Sequence, residues 1–141
     1  MFVKIKKGFT ITEAIVVIIV FALLGSVALP RFLIYMEGIK SKEGRDILFP
    51  IYKSEMEYAL DNNGQRTDEI GKLDVNIPSS VNFDAPQLYL KNATVVIFGT
   101  GHTDIVASIR RTTGEYTLFI KEDSSFLCED SGNNLCGRMG Y

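Results

Sequence analysis

The chain has 141 residues, 46% of them hydrophobic, with 15 Lys and Arg against 17 Asp and Glu, one His and two Cys. A formal charge of −2 gives no overall electrostatic pull on nucleic acid. His102 stands alone in GTGHT, and Gly99 and Gly101 lack the rest of a phosphate-binding fingerprint, so no catalytic constellation, cofactor or metal site is expected.

The first element is a basic tag, MFVKIKKG, ending at Gly8. FTITEAIVVIIVFALLGSVALP then runs apolar to Pro30, and from Phe9 its 22 residues would span roughly 33 Å as a helix. That is enough to cross a bilayer core of about 30 Å. The run is too long for the core of a cleaved secretory signal, and no Ala-x-Ala site is evident after it. Lys4, Lys6 and Lys7 precede the run while Arg31 alone follows it, so the N-terminus is expected in the cytoplasm and the rest outside. Without those three lysines, 12 basic residues remain against 17 acidic.

Glu13 is the one charge within this run. A carboxylate in a membrane helix is costly and usually marks function, although a place among the lipid headgroups would relieve it. If the chain were cut after Gly8, Phe9 would carry a new amino group roughly 6 Å before Glu13. The carboxylate could interact with its own helix dipole, or pair with the amino group of a staggered neighbour and set register.

KKG followed by FTITEAIVVIIVFALLGSVALP resembles the class III signal of type IV pilins and pseudopilins. The resemblance covers about 30 residues. It implies that a prepilin peptidase cuts after Gly8 and methylates Phe9, with Glu13 as the assembly glutamate at the fifth mature position. It implies helix-bending roles for Pro30 and Pro50 and a loss of helicity between Gly25 and Pro30 on assembly, which makes Ala22 to Pro30 the stretch expected to soften. Thr12, where an aliphatic residue is usual, and Arg31, just past Pro30, depart from the pattern. From the residues alone, Gly25, Ser26 and Ala28 are small enough for close helix approach, and Pro30 cannot donate to the Ser26 carbonyl.

Beyond Arg31, Leu48, Tyr52, Met56 and Ala59 recur on one helical face, which predicts an amphipathic half-helix covering a head. Gly38, Gly44 and Pro50 count against an unbroken helix, and Asn62, Asn63 and Gly64 form a stop signal. Turn formers from Gln65 to Pro86 hold the apolar set Ile70, Leu73, Val75 and Ile77 and predict a connecting loop. Strands are expected at Gln87 to Leu90, Ala93 to Phe98, Asp104 to Arg110 and Glu115 to Lys121. Ile105, Ala107 and Ile109 should share one face, as should Tyr116, Leu118 and Ile120. Gly99 to Thr103 and Arg111 to Gly114 read as turns, with Arg110 and Arg111 as a solvated basic spot. The expected fold is α+β, a long N-terminal helix on a small antiparallel β-meander.

Cys128 and Cys136 lie in CEDSGNNLC. With the head outside the cytoplasm a disulfide is favoured over two thiols or a metal pair. The resemblance makes this loop the variable, surface-facing region, and LCGRMGY is similar to the end of a pilin group whose last strand is pinned by such a cysteine. Asn92-Ala93-Thr94 is a formal glycosylation sequon.

The expected organisation is a leader at 1–8, a helix at 9–62 with 9–30 as membrane span and filament core, and a head at 63–141. The resemblance implies a filament subunit, not an enzyme, that passes from the bacterial inner membrane to a surface pilus or periplasmic pseudopilus. Its partners would be identical subunits, the prepilin peptidase and the pilus assembly machinery. A minor pilin or secretion pseudopilin is the alternative. A membrane-anchored binding or enzyme domain is a third reading, which lacks clustered catalytic residues to support it.

Overall fold

The computed structural model describes residues 9–141; the leader, Gly8 included, lies outside the described residues. Helix α1, Ile11–Asp61, runs 51 residues through both Pro30 and Pro50. It ends at the expected signal: Asn63 and Gly64 take positive φ, and the Gly64 N–H donates to the Ala59 carbonyl at 2.7 Å. The fold is α+β, with α1 packed on an antiparallel sheet of four strands.

Two contiguous layers of core account for the head. Strand β1 is Gln87–Leu88, β2 Val95–Ile97, β3 Thr100–His102, β4 Ile105–Arg110, β5 Tyr116–Lys121 and β6 Phe126–Asp130. The main sheet has the order β1-β4-β5-β6, and β2 pairs only with β3. The meander is thus β4-β5-β6, with β1 on the far edge and the β2–β3 hairpin stepping out of the sheet. One core holds Leu48 and Ile51 of α1 against Val106, Ala107, Ile109, Tyr116, Leu118 and Ile120. On the other face, Ile97 of the hairpin meets Ile105 and Phe119. Covered on both faces, β4 buries five of its six residues.

Three sequence expectations are corrected here. Ile105 does not share a face with Ala107 and Ile109, because the β4–β5 register slips between Ile105 and Ala107 and turns Ile105 toward the hairpin. The turn expected at Gly99 to Thr103 is only Phe98 and Gly99, both at positive φ as a two-residue hairpin turn requires, and His102 therefore lies in a strand. Arg111 is not a solvated turn residue. It is 6% exposed, donates to the Asn82 carbonyl, and pairs with Glu37 at 3.3 Å.

The buried stripe of α1 is Gly44, Leu48, Ile51 and Glu55, with Tyr52 and Met56 on its flank. Gly44 is not a helix breaker but the point of closest approach to the sheet. A Cβ there would sit 2.8 Å from both Leu118 Cδ1 and Phe83 Cζ. The connection from Gly64 packs rather than dangles: Leu73 enters the core, and Ile70, Val75 and Ile77 lie against it. Glu43 pins this segment to the helix by accepting from Ser80 Oγ and Asn82 Nδ2 at 2.6 and 2.8 Å.

Glu55 is fully buried; its Oε2 accepts the Thr67 N–H at 3.4 Å and its Oε1 has no partner. Burial raises its carboxyl above the usual range, and the Thr67 N–H and Arg66 only partly offset this. A carboxyl raised in the folded state contributes stability below its unfolded value of about 4.3 and loses it as pH rises through the folded value. Glu55→Gln keeps an acceptor for Thr67 without the charge. Its melting temperature should therefore exceed that of the unaltered chain by a margin that widens between about pH 4 and pH 8; a margin constant across that range would contradict the assignment.

Candidate assembly site

No residue of α1 before Ser41 is buried. The apolar window of this helix has a mean hydropathy of 2.5, and none of it is covered by the head. The apolar first part of α1, in a helix long and apolar enough to cross a membrane, is thus uncovered by the described residues of the head.

At its start, Thr10 and Glu13 close a capping box. Thr10 is extended (φ −80°, ψ 151°), its Oγ1 accepts the Glu13 N–H at 3.3 Å, and Glu13 Oε2 accepts the Thr10 N–H at 3.0 Å. The Thr10 hydroxyl also donates to Oε2 at 2.8 Å and lies 3.1 Å from that of Thr12. The physical need is general: the first N–H groups of a helix have no partner within it, and in hydrocarbon an unmet donor is expensive. Thr-x-x-Glu before an apolar run is a readable signature of this arrangement. From the sequence alone Glu13 has a helix dipole or a cation as its expected partner, and this cap is not among them. Both of these bonds fall on Oε2, and among the described residues Oε1 accepts none. Thr12, a departure from the pilin pattern, faces the same cap. Phe9, the expected new terminus, is 74% exposed one residue before it.

Gly25, Pro30 and Pro50, expected as bending points, all lie inside the one helix. Beside Gly25 there is open space within 4 Å. The Ser26 hydroxyl donates to the Leu23 carbonyl at 2.8 Å, while the Ser26 carbonyl faces a proline that has no N–H to give. The stretch expected to soften is therefore helical in this state and short of one hydrogen bond.

Cys128 of β6 and Cys136 form a disulfide with a Cα–Cα distance of 5.6 Å, and both are buried in the main core. The last strand is indeed held by a cysteine, but LCGRM is not itself a strand: Leu135–Met139 forms a short helix, α2. Closing so short a loop stabilises by about 2.5 kcal/mol on the loop-entropy model. Asp130 orders the loop from within by accepting the N–H groups of Gly132 and Cys136, both at 2.9 Å. Those bonds, Cys136 first, hold its carboxyl below the usual range. Arg45 of α1 lies 4.5 Å from the Phe126 ring and 5.9 Å from Tyr141, which ties the loop to the helix.

A groove of about 530 Å³ runs between the hairpin tip and this loop, lined by Phe98, Leu127, Asp130, Gly132 and Asn134. Its one acidic side chain, Asp130, is committed to the loop backbone. Among the described residues no group of three or more His, Cys, Asp or Glu is placed to hold a metal ion. His102 lies 3.7 Å from Asp104, whose carboxylate is held at 2.9 Å by Lys121. Asn92 of the sequon sits in an exposed turn at positive φ. Comparison with protein-family models, with curated proteins and with solved structures gives no match.

Proposed function

We propose that the chain is a prepilin: a structural subunit of a type IV pilus-like filament, cut after Gly8 by a prepilin peptidase, methylated at Phe9 and assembled through its apolar helix. The observation that carries this reading is the uncovered half of α1, which begins with a carboxylate at its first turn and continues without interruption into a disulfide-closed head. Such a helix needs a bilayer or a bundle of its own kind, since bare apolar surface of this extent is unstable in water. In the proposed sequence the inner membrane holds it first, N-terminus inside. Cleavage then frees the Phe9 amino group, and the assembly machinery passes the subunit into a helical homopolymer with the helices inside and the heads outside. No catalytic role is assigned to the chain.

Within this class the major pilin is the first reading, and a minor pilin or secretion pseudopilin the alternative. A major pilin would dominate filaments sheared from the cell surface, whereas a secretion pseudopilin would be scarce there and tied to secretion. Shearing the surface filaments and sequencing their subunit tests the proposal: this chain as the principal component supports a major pilin, and its absence from both surface and periplasmic fibres overturns the filament reading.

A further inference from the structure

The half of α1 that packs on the head repeats itself at an interval of 11 residues: Lys42, Asp46 and Phe49 recur as Lys53, Glu57 and Leu60. Eleven residues are about three full turns, so each pair forms a row nearly parallel to the helix axis, its members about 16.5 Å apart. The rows lie side by side in the order apolar, basic, acidic, away from the buried stripe of Gly44, Leu48, Ile51 and Glu55. All six residues are exposed, Phe49 at 41% and Leu60 at 83%. Exposed Arg45 continues the positive side of this arc and exposed Asp61 the negative side. The repeat lies wholly in the part of α1 that is held on the sheet, beyond the Ala22 to Pro30 stretch expected to soften.

The charges of these rows are unspent. Each lysine stands four residues before an acid, within reach on the same helix, but lysine before acid is the weaker order for such a pair. Neither pair closes, and among the described residues Lys42, Lys53, Asp46 and Glu57 take part in no ion pair. Lys53 instead lies 5.0 Å from the Phe49 ring.

We propose that the basic row of one copy pairs with the acidic row of a parallel neighbour, with Phe49 and Leu60 packed beside the contact. The inference rests on the filament reading and deepens it by naming a surface through which copies meet. Because both rows share the 11-residue spacing, one displacement of about four residues, roughly 6 Å along the helix, sets Lys42 against Asp46 and Lys53 against Glu57 of the neighbour together. Copies in a helical polymer are rotated about its axis as well as displaced along it, so rows that are not diametrically opposed on one helix can face each other between two. The contact is heterologous: each copy offers its basic row to one neighbour and its acidic row to another, and the pairing propagates along an open fibre.

The test uses the full chain in cells that produce it. Lys42→Glu with Lys53→Glu should lower filament yield about tenfold or more, because like charges then face each other, and Asp46→Lys with Glu57→Lys should do the same. The fourfold exchange should restore yield to within about threefold of the unaltered chain. Co-production of a Lys53→Cys chain and a Glu57→Cys chain should give a disulfide-linked dimer in filaments that neither chain gives alone. Full yield from either double variant, failure of the fourfold exchange to restore it, or linkage to a different protein in place of a second copy overturns the pairing and leaves the filament reading intact. Absence of the unaltered chain from any fibre overturns the filament reading and the pairing with it.

Discussion

Gly44→Leu lowers the melting temperature of the head by about 10 °C or more, whereas Gly38→Ala raises it slightly. Both glycines sit in α1, and by helix propensity alone each replacement should gain up to about 1 kcal/mol. The surroundings reverse the sign at Gly44. A Cβ there would press on Leu118 Cδ1 and Phe83 Cζ at 2.8 Å, and Leu118 is fully buried while Phe83 is 4% exposed, so neither has free space to retreat into. Overpacking a filled core costs about 1 to 3 kcal/mol per insertion, and a leucine at this contact wedges the helix from the sheet along its whole buried stripe. Gly38 has nothing within 4 Å, so an added methyl meets only solvent. Thermal melting by near-ultraviolet circular dichroism in detergent checks both variants, and equal stability of Gly44→Leu and the unaltered chain would show that α1 does not pack on β5 as described.

Glu13→Ala leaves membrane insertion and head stability unchanged but reduces filament yield by about two orders of magnitude. The residue is remote from the head, whose contacts with α1 begin with the Glu37–Arg111 pair, so its loss should not move the melting transition. Losing the capping box alone costs about 0.5 to 2 kcal/mol locally. Leaving a buried cation without its anion in an assembled core costs about 3 to 5 kcal/mol, which is the larger effect. Glu13→Gln separates the two, because glutamine can still accept from Thr10 but carries no charge. If charge pairing governs assembly, Glu13→Gln fails like Glu13→Ala while Thr10→Ala retains most of the yield. Counting sheared filaments against membrane-held subunit measures this, and normal yield from Glu13→Gln would reduce Glu13 to a helix cap.

Long-period features were the readable ones. The apolar run, the stop at Asn63 and Gly64 and the cysteine pair follow from local chemistry, and each is where the residues place it. The alternation of Tyr116, Leu118 and Ile120 survives because β5 is regular and central. What escaped depends on contacts between distant segments. Gly44 reads as a breaker until Phe83 and Leu118 are set against it, and Arg111 reads as a turn residue until Glu37 and Asn82 close around it. Ile105 changes face through one register slip, which no period-two pattern records. Strand β6 is hidden in the cysteine segment, where its last residues Glu129 and Asp130 look like loop residues but serve the hairpin and the disulfide loop: Glu129 accepts the Phe98 N–H at 2.8 Å. At the candidate site the sequence also spells the capping box, Thr10 and Glu13 three residues apart before an apolar run, a signal that a search for a counter-charge passes over.

Glu13 lies in the first turn of α1, the helix proposed to become an assembly element only after the chain is cut. Mass spectrometry of the intact subunit in purified filaments tests it most directly. The expected chain begins at N-methylated Phe9 and retains the Cys128–Cys136 bond; filaments built from chains that still begin at Met1 would contradict the proposed cleavage.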